Sequence, residues 1–500
     1  MTRPGGEGEP DVCLIVEGCY PYVAGGVSTW LDWLMRSQPQ TPFKVAAILA
    51  ASQPRIAKYS FPPNLSGLTE IELDAPVRSA RARRADRDTV ERLAPLLVRF
   101  LTHGRLADFH AIAAIVNDRR RPLSLSMLLR SPLAWELCCA NYRSLMPHGS
   151  FKGFLWAWQA LMGGLFAILK APLPSAGIYH AISTGYAGLL AARAKLESAA
   201  RAFVTEHGIY TTERRIEILM APWIVDLIDK GDAIADSRMD LRDLWVMAFE
   251  SYARCCYEAC DAVTTLFGAN QPMQRALGAS DEKLRIIPNG IDIARFADIR
   301  PAASGQAPVV ALIGRVVPIK DIKSFIRAVA QAVRAAPDLR AVVAGPLDED
   351  PAYAEACAAL VRDLKLEAHL SFLGRVDVTE FLGRVDIVVL TSLSEAQPLT
   401  ILEAGAAGLP CLSTDVGSCR ELLEGSPSEM PRHGPGGIVT GIGRIEEMSD
   451  AIVRLALDPE LRRTMGANLK ARVSHLYTAQ HAASEYRRLY AGETPVRKAG

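Results

Sequence analysis

Two carboxylates stand eight residues apart in Glu395-Ala396-Gln397-Pro398-Leu399-Thr400-Ile401-Leu402-Glu403. Their flanks give that spacing a chemical meaning. The preceding run, Asp386-Ile387-Val388-Val389-Leu390-Thr391, is short, apolar and β-branched, as a buried parallel strand is. Pro398 suits the first turn of a helix, where its missing N–H costs nothing. That helix is expected to run through Leu402, Glu403 and Ala404 and to stop near Gly408-Leu409-Pro410. Glu395 then occupies the loop at the carboxyl end of a strand, and Glu403 lies about one turn into the helix, roughly 5–8 Å further along. The helix N-terminus between them offers free N–H groups to an anion. Carboxylates repel a phosphate but accept hydrogen bonds from hydroxyls. A ligand with a phosphate centre and a hydroxyl-rich group on either side, such as a nucleotide sugar, fits the arrangement.

The elements that must position these groups can be read on both sides. Upstream, Val309-Val310-Ala311-Leu312-Ile313 reads as a strand, followed by Gly314-Arg315-Val316-Val317-Pro318-Ile319-Lys320-Asp321. The glycine permits a tight turn, and two cations five residues apart converge at the strand's end. Ala341-Val342-Val343-Ala344-Gly345, Leu370-Ser371-Phe372-Leu373-Gly374-Arg375-Val376, Pro410-Cys411-Leu412-Ser413-Thr414 and Gly437-Ile438-Val439-Thr440 read as further strands, alternating with helices. The alternation predicts an α/β fold with a doubly wound parallel sheet and ligands outside its carboxyl edge.

The first half predicts a second such unit. Val12-Cys13-Leu14-Ile15-Val16 opens it as a strand, and Gly25-Gly26 precede an amphipathic helix with Trp30, Leu31 and Leu34 on one face. Paired glycines there let a phosphate or sugar approach the backbone. The pattern is not G-x-G-x-x-G, so a dehydrogenase reading loses its main support. Ala202-Phe203-Val204-Thr205-Glu206 is a strand that delivers His207 to its end, with Gly208 behind it. His180, in Tyr179-His180-Ala181-Ile182, reads as a structural histidine.

These segments resemble the retaining glycosyltransferases of family 4. The nonapeptide is similar to that family's E-x7-E signature, and Gly314 to Lys320 is similar to its G-R-x4-K segment. Ile286-Ile287-Pro288-Asn289-Gly290-Ile291-Asp292 resembles the segment before its second domain, where Asn-Gly forms a turn. The resemblance covers roughly residues 11 to 490. Glu17-Gly18-Cys19-Tyr20-Pro21-Tyr22-Val23-Ala24-Gly25-Gly26-Val27, Glu206 to Tyr210 and Val316 to Lys323 look most like the PelF-like branch, which serves the Pel exopolysaccharide system; Asp321, where most family members carry glycine, is that branch's usual residue.

The resemblance implies a GT-B fold: two Rossmann-like domains facing a cleft, here residues 11–296 and 308–475, with a helix-rich insertion at about 75–174. A final helix, 476–490, returns to the first domain. It implies transfer of a sugar from a UDP-sugar, such as UDP-glucose, to a growing polysaccharide with retention at the anomeric carbon. Arg315 and Lys320 hold the donor diphosphate, Glu403 the ribose, and Glu395 the sugar hydroxyls, while His207 lies over the reacting sugar. Gly25, Gly26, Gly314, Gly374, Val376, Leu399 and Thr400 complete the donor site, and Glu206, Tyr210 and Arg214 shape the acceptor side. No D-x-D motif stands where such enzymes carry one, so metal-independent chemistry without a cofactor is expected. Two rivals are a GT-B nucleotide-sugar epimerase and a non-catalytic polysaccharide-assembly scaffold. The expected partners are the UDP-sugar, the acceptor polysaccharide and an inner-membrane Pel synthesis complex.

Composition agrees with this class. Five hundred residues, 49% of them apolar, build two or three cores. A net charge of +1 gives no reason to expect nucleic acid. The ten cysteines show no metal spacing and read as small hydrophobes of a reducing compartment. Met1 to Pro10 lacks the basic and apolar regions of a secretory signal, so a cytoplasmic location, peripheral to the inner membrane, is expected. The apolar stretch Phe154 to Leu169 is sixteen residues, short of the ~20 needed to span a bilayer, and is expected to be a buried or groove-lining helix. The insertion opens with Arg78, Arg81, Arg83, Arg84 and Arg87, read as a solvated helix face. Periodicity is lost near Arg300 to Gln306, which reads as the linker, and residues 1–10 and 492–500 read as loose ends.

Overall fold

The computed structural model describes residues 11–74, 87–220, 239–299, 307–427 and 429–493. Arg78, Arg81, Arg83 and Arg84, the linker segment 300–306 and nearly all of both chain ends lie outside them.

The chain forms two compact units. The first comprises the chain up to Thr265 together with Asn270–Arg285 and Arg487–Glu493; the second comprises Leu266–Ala269 and Ile286–Tyr486. In the first unit seven strands, β1 (Val12–Glu17), β2 (Phe43–Leu49), β3 (Leu65–Glu72), β4 (Ile178–Ala181), β5 (Arg201–Glu206), β6 (Ala262–Thr265) and β7 (Leu284–Ile286), lie in the order β3-β2-β1-β4-β5-β6-β7. In the second unit β8 (Val309–Ile313), β9 (Arg340–Ala344), β10 (Leu370–Gly374), β11 (Ile387–Leu390), β12 (Cys411–Thr414) and β13 (Gly437–Thr440) follow the order β10-β9-β8-β11-β12-β13. All pairings from β3 to β6 and throughout the second sheet are parallel. In each sheet the strand order reverses beside its first strand, between β1 and β4 and between β8 and β11. Such a reversal opens a crevice at the strands' carboxyl ends.

Residue choice explains the layers. Along β8, Val310 and Leu312 enter one apolar core and Ala311 and Ile313 another; along β11, Ile387 and Val389 are divided in the same way from Val388 and Leu390. A sheet covered on both faces needs apolar residues at both phases of its two-residue period, which is why these strands read as unbroken apolar runs.

Among the described residues, five helices stand between β3 and β4, from Arg87–His103 to Phe151–Lys170. The last is longer than its apolar stretch because Ser150 caps it by accepting the Gly153 N–H at 3.2 Å. At 20 residues it is long and apolar enough to cross a membrane, which corrects the expectation drawn from length. It serves here as a core helix: 67% of its most apolar window is buried, and Trp158 donates to Asn141 Oδ1 at 2.9 Å inside the core. Of the ten cysteines, eight are buried and all are free.

Candidate functional site

In the second unit the residues at the β8/β11 reversal are tied together by their own hydrogen bonds. The turn after β8 ends in Lys320, and Asp321 follows in the left-handed region at φ 45°, capping the helix Ile322–Ala332 through the Ser324 N–H. Beyond β11, Thr391 Oγ1 donates to Lys320 O at 2.7 Å, and Leu393 N–H donates to Ile319 O at 2.8 Å. The two loops are therefore bonded directly to each other. Lys320 Nζ then donates to Glu395 Oε1, which also accepts from Ser392 Oγ at 2.7 Å. The lysine and glutamate side chains are only 19% and 14% exposed, so the pair is partly shielded from water and its charges count for more than a surface pair's.

Glycine permits the close backbone contacts behind this cluster. Gly417 lies at φ 53°, and a Cβ there would stand 2.0 Å from Glu395 O. Gly345, at φ 153°, is pressed on Gly314, where a Cβ would stand 1.9 Å from the carbonyl oxygen. Gly314 itself donates to Ala344 O at 2.9 Å.

Arg315 stands apart from Lys320. Its side chain is 56% exposed and pairs with Glu349 Oε2 at 2.9 Å. Gly374 ends β10 at φ 69° and Val376 follows, half-buried. Pro398 caps the helix Leu399–Ala407 rather than occupying its first turn, which leaves Leu399 exposed and Thr400 half-buried at the start. Glu403 lies one turn in. Burial pushes its carboxyl up to about 7, opposed by the charge of Arg295.

A carboxylate that accepts hydrogen bonds from a ligand's hydroxyls works best ionised. Binding of a hydroxyl-bearing ligand at Glu403 is therefore expected to strengthen between pH 6 and pH 8 and to be flat with pH for Glu403→Gln, as read by calorimetry. The same shift makes the folded chain hold a proton that the unfolded chain releases between about 4.5 and 7. This group's contribution to stability thus falls as pH rises through that window, and Glu403→Gln should remove the slope. A Glu403→Gln profile as steep as wild type would refute the assignment.

In the first unit, Gly25 precedes the helix Gly26–Arg36, and its N–H meets Tyr59 Oη at 3.4 Å. A cavity of ≈ 220 Å³ opens at the β1/β4 reversal. Glu17 from the end of β1, Ser183 from beyond β4, His207 from beyond β5, and Tyr210 and Arg214 from the helix Tyr210–Met220 line it. Glu17 accepts the Tyr210 hydroxyl at 2.9 Å and the Tyr186 N–H at 3.0 Å, capping the helix Tyr186–Glu197. The His207 ring stands edge-on to Trp30, centroids 4.7 Å apart, and burial lowers its pKa to about 4, so it is neutral at pH 7.

Glu206 does not reach the cavity, contrary to expectation. It is the last residue of β5, and its side chain turns into the helix layer, accepting from Tyr257 at 2.5 Å and Gln274 at 2.9 Å. His180 is fully buried between Thr205 and Tyr490, 2.7 Å from each. His207, Gly25, Gly26, Glu206, Tyr210 and Arg214 thus belong to the first unit and the other expected residues to the second. Sequence reasoning missed Ser183, Arg295, Glu349, Ser392 and Gly417. Only Glu349 carried a signal, the acidic run Asp348-Glu349-Asp350 after a strand. Among the described residues no group of three or more His, Cys, Asp or Glu is placed to hold a metal ion.

Residues 10–282 match the family described as Domain of unknown function (DUF3492), and residues 307–458 match Glycosyl transferases group 1. A D-inositol 3-phosphate glycosyltransferase of Kribbella flavida is 31% identical over 231 residues, 42% of this chain and 52% of that protein. The chain spans about half the length, or less, of the curated relatives it matches first. Among solved structures, sucrose-phosphate synthase from Thermosynechococcus elongatus aligns with a TM-score of 0.56 at 16% identity, covering 96% of this chain and 99% of that one. Anabaena Alr3699/HepE, in complex with UDP and glucose, aligns at 0.55 and 15% identity, covering 97% and 100%. These likenesses, with the two parallel sheets, establish the expected GT-B fold.

Proposed function

We propose that this chain, which belongs to the DUF3492 family through residues 10–282, is a retaining glycosyltransferase moving a sugar from a UDP-sugar to a growing exopolysaccharide. One observation carries the reading: a partly shielded lysine bonded to a carboxylate, which itself accepts a serine hydroxyl, at the strand reversal of a sheet matching Glycosyl transferases group 1. In this reading the bond from the anomeric carbon to the diphosphate oxygen breaks, UDP leaves with the electron pair, and an acceptor hydroxyl oxygen takes its place, its proton passing to the departing diphosphate. Lys320, Arg315 and the N–H groups at Leu399–Thr400 stabilise the charge that grows on the diphosphate, with no cofactor. Glu395 Oε1 orients Lys320, while Oε2 remains for a sugar hydroxyl. Glu403 takes the ribose, with Gly374 and Val376 bordering the base. The PelF-like segments extend the proposal to Pel synthesis in the cytoplasm at an inner-membrane complex. Support comes also from relatives and fold neighbours named as glycosyltransferases and as UDP complexes.

The test is UDP release by the purified chain over a panel of UDP-sugars, with and without saccharide acceptors. Saturable turnover of one donor is expected, with its KM raised about tenfold in Arg315→Ala by loss of a charge-assisted contact. A donor returned as its epimer would favour the epimerase. A folded chain that binds neither UDP nor any UDP-sugar would sink the enzyme reading and leave a scaffold.

A further inference from the structure

The helical insertion of the first unit carries a charge that the rest of the chain does not. From Arg119 to Lys170 there are seven Lys and Arg against one acid, Glu136, while the whole chain stands at +1. Arg130 and Lys152 are exposed and meet no carboxylate among the described residues. The same stretch exposes two tryptophans, Trp135 at 52% and Trp156 at 65%, where the other described tryptophans are buried or half-buried. A groove of ≈ 300 Å³ opens beside Trp135, with Arg130, Pro132, Leu155 and Gln159 among the residues that line it.

Local structure puts these groups on one surface. Pro132 opens the helix Pro132–Leu145 behind the Ser131 cap, and Trp135 follows within its first turn. In the helix Phe151–Lys170, Lys152, Leu155, Trp156 and Gln159 recur at the three- and four-residue spacing of a single stripe. Trp135 and Phe151 pack edge to face with centroids 5.5 Å apart, which joins the two helices. The longer helix is held in the core, for Leu161 to Leu169 are buried without a break. Only its first three turns or so meet solvent, so this surface lies on a partner rather than passing through one. The chemistry selects that partner. An indole has an apolar body and a polar tip, and set beside cations on long stems it matches the boundary between headgroups and acyl chains. Trp158 spends its N–H on Asn141, whereas those of Trp135 and Trp156 bond nothing among the described residues. The excess of cations calls for negative charge opposite, which anionic headgroups supply. A second copy of this surface would bring like charges together.

We infer that Trp135 and the exposed start of the helix Phe151–Lys170 form a docking surface for a bilayer containing anionic lipid. The two indoles enter the headgroup boundary, and Arg130 and Lys152 hold lipid phosphates. The inference stands on the insertion alone and does not depend on the sugar-transfer reading.

Flotation of the full chain with vesicles is the direct test, using phosphatidylcholine alone and phosphatidylcholine with about one-third phosphatidylglycerol. Binding to the anionic vesicles, at least tenfold weaker on the neutral ones and falling as salt rises, is expected. Trp135→Ser with Trp156→Ser, and separately Arg130→Gln with Lys152→Gln, should each lower the partition coefficient about tenfold. All four side chains are exposed, so thermal unfolding of both double variants should match wild type. Equal binding to both vesicle types, binding to neither, or double variants within twofold of wild type would overturn the inference. Self-association, or retention on an immobilised polysaccharide, abolished by the same variants and without flotation, would also overturn it and assign the surface to a second copy or to a glycan. Flotation of a chain that turns over no UDP-sugar would sink the transferase reading and keep the docking surface.

Discussion

Lys320→Ala is expected to lower turnover of the preferred UDP-sugar by about 10²–10³-fold, the loss typical when a preorganised charge stabiliser is removed from a shielded site. Two effects combine. The departing diphosphate loses a cation, and Glu395 loses the donor that neutralised it. With 14% of its side chain exposed, Glu395 would present an uncompensated negative charge to an anionic leaving group. The loss should therefore exceed that of Arg315→Ala, whose side chain is more than half exposed and already shares its charge with Glu349. Lys320→Ala combined with Glu395→Gln should recover part of the donor affinity, though little of the rate. The measurement is kcat and KM for UDP release. A single variant within fivefold of wild type would remove Lys320 from the chemistry.

Arg472→Ala is expected to destabilise the second unit by about 3–5 kcal/mol, the cost of stripping one partner from a buried ion pair. Arg472 is wholly buried and bonds Glu429 Oε2 at 2.9 Å. Its other donors reach the carbonyls of Leu422 and Leu423 at 3.3 and 3.0 Å and of His433 and Gly434 at 3.1 and 3.0 Å. Alanine leaves a buried carboxylate without its cation and four carbonyls without that donor. The double variant Arg472→Met, Glu429→Gln removes the stranded charge but not the stranded carbonyls, so it should fall between the single variant and wild type. Urea unfolding reads both. A loss below about 1 kcal/mol in Arg472→Ala would show the pair to be dispensable.

What could be read from residues alone follows from the range of the forces involved. The strand ending at Leu390 and the helix holding Glu403 are set by neighbours within ten residues: a β-branched run, a proline at the helix start and a glycine at its end. Two such units written in the same alternation point to the doubly wound sheets observed. The ion pair of Lys320 with Glu395 is different. It spans 75 residues and comes about through Thr391 and Leu393 bonding the opposite loop, contacts that exist only once the sheet has formed. Gly417 looks like any loop glycine until the backbone of Glu395 is found against it. Ser183 has no pattern at all, for a serine after a strand is ordinary. Glu206 shows the converse: beside His207 in the chain, it is directed by the strand's alternation into the helix layer. The length of an apolar run also misled, because a cap and flanking polar residues lengthen Phe151–Lys170 beyond its apolar stretch.

The placement of Tyr490 bears on how the chain is made. Its hydroxyl lies 2.7 Å from His180 inside the first unit, and its ring packs against Phe43 and Phe203. Residues Ile286–Tyr486, which build the second unit, are synthesised in between. On the ribosome, the first unit therefore emerges with one side of its core unfilled and waits for the rest of the chain before closing. At ~5–20 residues per second, the ~200 intervening residues take roughly 10–40 s. During that interval Phe43, Phe203 and His180 face solvent or a chaperone, so the first half carries a transient need for protection that the finished molecule does not show.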